Sequence, residues 1–338
     1  MIFNQGTGGG GASLSPIIVV SAPTGSTVTC KKGSTVLTAE ESSGTWSFAI
    51  PAYGTWTVVG VSGEKTDTRT VEVIAIEVYF VTLRFFPAVL NNATWAQVKQ
   101  ASDSGVASNY WSVGDTKQIT MNGKVSDGLT LSNYSTYVYI IGFDHNKDVE
   151  GTGIAFGGFK TAQTSGTDVA LCDSGYNNGE SSGQWFSMNN SNTNSGGWSS
   201  SRMRSTTLPL VKSALPSDLQ AVIKTTTIYS DNTGGGNDTA SYVTATQDEL
   251  YLLAEFEIFG TRKWANSAER NHQQQYAYYV AGNRKIKYRH DSTATAVLWW
   301  ERSVYAGSDG RFCFVSTDGT GAVYYAIYSL GLSVAFKI

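Results

Sequence analysis

Charge is scarce in this chain of 338 residues. Lys and Arg number 24, Asp and Glu 27, and together they supply 15% of the sequence, where a soluble domain usually carries about a quarter. A net charge of −3 excludes a nucleic-acid coat or a polybasic membrane binder, both of which need clustered positive charge. The three cysteines, Cys30, Cys172 and Cys313, are odd in number, far apart and without a CxxC pair. That excludes a disulfide scaffold and a cysteine zinc site, and leaves buried free thiols. The three histidines, His145, His272 and His290, show no HExxH-like spacing for zinc. No GxSxG elbow marks a nucleophile, and Thr233–Asn237 lacks the Lys and Ser/Thr of a phosphate cradle. Long apolar runs are missing too. The most apolar stretch, Val71–Leu90, is broken by Glu72, Glu77, Arg84 and Pro87, so no spanning helix is expected. Met1–Gln5 has neither a basic region nor an apolar core, so no secretory leader is expected.

What is abundant is Gly, Ser, Thr, Asn and aromatics: 36 Gly, 18 Tyr and 9 Trp. This composition fits β structure and surfaces that face sugars or proteins. The length predicts two or three domains. Residues 1–15, with the run GTGGGGASLS, read as a flexible arm that serves as an attachment point. Residues 16–86 read as an antiparallel β-sandwich of about seven short strands bounded by Gly and Pro turns. Trp46, Phe48, Trp56 and Val58 are its expected core. Phe85-Phe86-Pro87 marks a junction. Residues 87–338 read as a loop-rich α+β domain. Here the sequence predicts a helix over Ala93–Ala101 capped by Thr94, and a hairpin at Asn122-Gly123. It also predicts a strand over Tyr137–Phe143, a long loop over Asp173–Ser201, and a short helix begun at Leu215-Pro216-Ser217-Asp218. Asp248–Phe259 has helical spacing, while Tyr276–Tyr279, Thr295–Trp300, Phe312–Ser316 and Leu332–Ile338 read as strands.

Two groups of acids invite a site. Asp144–Glu150 alternates oxygen ligands as a calcium loop does, but Val149 stands where the sharp-turn Gly belongs and no terminal Glu follows. A polar loop is the plainer reading. The pairs Glu255/Glu257 and Asp248/Glu249 could serve a glycan hydrolase, which needs two carboxylates about 5–10 Å apart, yet they fall on an ordinary helical pattern. No catalytic residue, metal or cofactor is therefore assigned. The aromatic clusters near the C-terminus carry more information: Trp299-Trp300, Tyr305, Tyr324-Tyr325 and Tyr328, with Asp309 and Arg311 nearby. On a one-sided sheet only one of Trp299 and Trp300 faces inward, so the other needs a loop, a partner or a ligand to cover it. The ligand-binding residues expected are Trp299, Tyr305, Asp309 and Arg311, then Asn177, Asn178 and Trp185.

From Thr94 onward the chain resembles a domain of unknown function found in phage and prophage proteins of gut anaerobes. The likeness rests on Trp111–Lys117, Ile140–Asn146, Gly196-Gly197-Trp198 with Ser201–Arg204, Leu215-Pro216, Asp248–Leu253, Glu255–Gly260, Gln275–Tyr279, Trp300–Ser303 and Gly331–Phe336. The C-terminal part of that family looks like the C-type lectin fold, shared with formylglycine-generating-type domains. The resemblance implies a structural role for Arg302 and Ser303 and supplies no catalytic residues. The first domain resembles small immunoglobulin-like modules of virion proteins through Gly44–Phe48 and Tyr53–Thr57. Together these resemblances imply a non-enzymatic bacteriophage virion protein of the tail fibre or baseplate. Its lectin-like domain would bind a host-surface glycan or protein, and its arm and sandwich would hold other virion proteins, with a homotrimer expected by analogy to tail fibres. A capsid decoration protein or head fibre is the alternative.

Overall fold

The computed structural model describes residues 14–63, 65–179 and 185–338. Nearly all of the expected arm over residues 1–15 lies outside them. The chain divides into two compact units, residues 1–88 and 89–338, and both are rich in β structure.

The first unit holds seven strands: β1 (Ile17–Ser21), β2 (Thr27–Lys32), β3 (Thr35–Thr38), β4 (Thr45–Ala49), β5 (Gly54–Ser62), β6 (Lys65–Val73) and β7 (Val78–Thr82). They form two sheets, ordered β4-β1-β7 and β3-β2-β5-β6. The period-two pattern sets which side chains go inward. Ile18, Val20, Trp46 and Phe48 from one sheet meet Val28, Cys30, Trp56 and Val58 from the other in a single cluster. All four expected core residues are in it. β7 pairs parallel with β1, whereas the other pairings are antiparallel.

In the second unit, Thr94 caps helix α1 (Trp95–Asp103), and Gln97 closes a capping box with it. The strands are β8 (Thr116–Ser126), β9 (Leu129–Phe143), β10 (Ile154–Lys160), β11 (Asp168–Ala170), β12 (Thr226–Asp231), β13 (Val243–Asp248), β14 (Leu250–Tyr251), β15 (Lys287–Arg289), β16 (Ser292–Val297), β17 (Trp299–Val304), β18 (Arg311–Val315), β19 (Gly321–Tyr325) and β20 (Ala335–Lys337). An eight-stranded sheet runs β14-β20-β10-β11-β15-β16, with β9 and β8 joined to β10. β17-β18-β19 form a separate three-stranded sheet, and β12 pairs with β13. The short helices are α2 (Lys147–Glu150), α3 (Leu208–Ala214), α4 (Ser217–Gln220), α5 (Glu255–Phe259) and α6 (Ala277–Val280).

Four expectations need correction. Asn122-Gly123 lies inside β8, where Gly123 (φ +127°) sits at a register shift. The turn to β9 falls instead at Asp127-Gly128. Tyr276–Tyr279 is not a strand, because residues 277–280 form α6. Helical spacing places Tyr276 and Tyr279 on one buried face, and Tyr276 stacks on His145 at 3.6 Å. The helical pattern of Asp248–Phe259 breaks into the end of β13, β14 and α5. Finally, Trp299 and Trp300 are both fully buried, so β17 is covered on both faces. The second Trp is covered by the protein itself, so the ligand-binding role expected of Trp299 does not hold.

Candidate binding surface

Trp299 cannot meet a ligand. It is 0% exposed and its indole N–H donates to the Lys285 carbonyl at 2.9 Å. β17 also carries buried charge, in Glu301 and Arg302. Arg302 reaches both oxygens of Glu257, at 2.6 and 2.5 Å, and donates to Ser230 Oγ and the Leu252 carbonyl. The Ser303 hydroxyl donates to Glu269 at 2.6 Å. Glu255 accepts the amides of Lys263, Trp264 and Ala265. Asp248 accepts from Arg204 and the Trp198 indole, and Glu249 pairs with Lys212. The acids that might have served hydrolysis are thus spent on ion pairs and on backbone amides. Glu301 differs: it is fully buried and neither oxygen has a hydrogen-bond partner. Burial, with Glu255 and Glu269 nearby, holds its carboxyl well above the usual range.

In the Asp144–Glu150 segment, His145, Asn146 and Glu150 are buried, while Asp144, Lys147 and Asp148 are exposed. Asp144 Oδ1 accepts the Gly153 amide. Buried Glu150 is bound by His145 Nδ1 at 3.0 Å and Lys337 Nζ at 3.3 Å. These oxygens are occupied by protein donors, and no cluster of three metal-ligating side chains is found among the described residues.

Of the remaining site residues, Arg311 and Asn177 each meet the end of β19. The register sets Arg311 opposite Tyr325 and Phe312 opposite Tyr324. Arg311 lies over the Tyr325 ring at 4.4 Å and donates to its hydroxyl at 2.9 Å. On the alternate side of the strand, Tyr324 packs edge-on against Tyr328, with ring centroids 4.5 Å apart. The Tyr324 hydroxyl donates to Asn177 Oδ1 at 3.3 Å. Burial, with Tyr328 beside it, pushes the Tyr324 phenol up, so it remains a neutral donor at physiological pH. Asn177 and Asn178 are both exposed. Their main chain is pinned by two bonds to Ser329, and Asn177 takes a left-handed φ of +60° that its short amide tolerates. The side chains therefore project from a fixed backbone.

Tyr305 and Asp309 belong to the loop joining β17 to β18. Tyr305 is half-buried against Trp264 at 5.6 Å, and Asp309 is exposed. Trp185 is half-buried, and its ring lies where a Cβ on Gly175 would fall. The structure brings Asn177 to Tyr324, and Arg311 to Tyr325. Tyr305 meets that group through its main chain alone, its amide donating to the Arg311 carbonyl at 3.1 Å.

Two organising residues carry no sequence signal. Buried Asn194 donates to the carbonyls of Ser308 (2.7 Å) and Arg311 (2.9 Å) and accepts the Gly235 amide (2.8 Å). It clamps the loop that delivers Arg311. Buried Asp173 accepts from Ser126, Gly175, Phe186 and Ser329, fixing the stretch that carries Asn177. An isolated Asn or Asp in a Ser/Gly-rich loop reads as turn chemistry, and the partners are remote in sequence.

Residues 174–338 match a family model described as a domain of unknown function (DUF6273). The match covers a little under half of the chain and includes the whole tyrosine surface. No curated protein matches the chain.

Proposed function

We propose that this chain is a non-catalytic virion protein that binds a host-surface glycan through the tyrosine surface at the end of β19. The observation that carries the reading is the group itself: exposed Tyr325 and Asn177 with half-buried Tyr324, Tyr328 and Arg311 beside them. Aromatic rings offer apolar faces to the C–H faces of a sugar while their hydroxyls stay wet. Asn and Arg add directional hydrogen bonds, and neither ring nor amide loses much freedom on binding. Tail-fibre or baseplate placement follows the resemblance to phage proteins. In this reading the first unit is an immunoglobulin-like attachment module and the second a lectin-like one. Weak single-site affinity would be raised by many copies on one particle.

The test is a glycan array probed with the full chain, followed by titration of each hit against Tyr324→Ala and Tyr325→Ala. Selective binding weakened at least tenfold by one of these variants is expected. An array with no hits, or hits indifferent to both variants, would overturn the reading.

A further inference from the structure

We infer that the glycan taken by this surface carries a carboxylate, held by Arg311 beside Tyr325. The inference rests on the glycan-binding reading above and goes beyond it by naming the ligand's chemical class. Arg69, Arg204, Arg262, Arg289 and Arg302 are each paired with an Asp or Glu. Arg311 is not. Among the described residues its guanidinium meets the Tyr325 ring at 4.4 Å and the Tyr325 hydroxyl at 2.9 Å, and no carboxylate. Asp309, nearby in the chain, is exposed in the loop before β18 and forms no ion pair with it.

The hydrogen bonds point to the same ligand. A guanidinium has five N–H donors in a rigid plane, and one of them, on Nη2, goes to Tyr325. Two edges of the group present paired N–H bonds, Nη1 with Nη2 and Nε with Nη2. A single bond from Nη2 occupies only one of these edges. The other keeps two parallel donors, which match the two oxygens of a carboxylate. The Tyr325 oxygen accepts from Arg311, so its own O–H is left to donate. Across the strand, Asn177 Oδ1 accepts the Tyr324 hydroxyl, which leaves the amide N–H groups of Asn177. Bonds within the surface thus use its acceptors and leave donors for a ligand. A sugar hydroxyl brings both donor and acceptor, whereas a carboxylate brings acceptors alone, with the negative charge that Arg311 lacks.

Arg311 is also held in place. The ladder sets it opposite Tyr325, and its carbonyl accepts the Asn194 amide side chain and the Tyr305 main-chain N–H. The Tyr325 ring against the guanidinium limits its rotamers, so little freedom is lost on binding. Half-burial of Arg311 reduces the screening of its charge by salt.

An array of sialylated, uronic, sulfated and neutral glycans, probed with the full chain, tests this. Hits should fall on sialylated or uronic members, and the two arms tell these sources apart. The strongest hit is then titrated beside its carboxyl-reduced form against wild type, Arg311→Gln and Arg311→Lys. Wild type should prefer the carboxylate by about tenfold or more. Arg311→Gln should bring that ratio close to one. Arg311→Lys should keep part of it, because an ammonium retains the charge and loses the paired donors. A purely structural Arg311 would weaken both ligands together and leave the ratio intact, which would overturn the inference. Neutral hits weakened by Tyr325→Ala would also overturn it, while sustaining the glycan reading, and so would hits on sulfated members alone. An array without hits would overturn that reading and this inference with it.

Discussion

The interior of residues 1–88 is a cluster of Val, Ile, Trp, Phe and one Cys, with Ser26 and Asp67 as its buried polar side chains among the described residues. The interior of residues 89–338 holds Glu150, Glu255, Glu257, Glu269, Glu301, Lys287, Arg302 and Lys337. The difference follows from backbone. Seven paired strands satisfy their own N–H and C=O groups in ladders, so their core can be apolar. A unit built on long irregular segments must satisfy those groups by other means. Glu255 with three amides, Asp173 with two and Asn194 with two carbonyls do that work. The surfaces also differ. The first unit exposes bare apolar side chains, whereas the second carries exposed Tyr325 and half-buried Tyr324 with their hydroxyls engaged.

The sharpest way to break the comparison is Arg302→Met. It strands Glu257 without its cation in a site at 0–1% exposure, at a cost of about 3–5 kcal/mol. Chemical denaturation should show this loss in the second unit, with the first unit's transition unmoved. Adding Glu257→Leu should restore most of it, since a buried pair replaced by apolar groups is often neutral.

Next comes pH. Burial raises the folded pKa of Glu269 to about 7 and that of Glu301 also upward. An acid raised on folding contributes fully below its unfolded value and loses that contribution as pH rises through the folded value. Burial lowers Lys287 to about 8, so its contribution is regained only as pH rises from about 8 toward 10.5. Stability of the second unit should therefore fall between about pH 4.5 and 7, by about 3 kcal/mol for Glu269. Glu301→Gln should flatten the fall. A unit equally stable at pH 5 and pH 7 would contradict this account.

Asn194→Ala is expected to cost about 2 kcal/mol, through two carbonyls and an amide left unpaired. Hydrogen exchange should rise in residues 305–311 while β12 and β13 stay protected.

The sandwich was legible because alternation alone decides which side of a strand goes inward, as Thr45–Ile50 shows. The capped helix at Thr94 was legible because its capping box spans four residues. Tyr276–Tyr279 misled because stacking on His145, far away in sequence, overrides an apolar run that suits either structure. Asn122-Gly123 misled because a bulge and a turn demand the same left-handed glycine. At the site, the sequence pointed to the aromatic cluster but could not sort it. Trp299 is core and Tyr325 is surface, and that depends on which loops cover which sheet. Asn194 and Asp173 were silent because their partners are assembled only by the fold.

The smallest expected stability effect tests the central claim, that recognition lies on the tyrosine group at the end of β19 and the buried charges are scaffold. Take the best glycan hit and measure affinity and melting temperature for wild type and Tyr325→Ala, the exposed ring, side by side. The predicted result is at least a tenfold loss of affinity with stability changed by no more than about 0.5 kcal/mol. Undiminished affinity in that variant and in Tyr324→Ala would contradict the account.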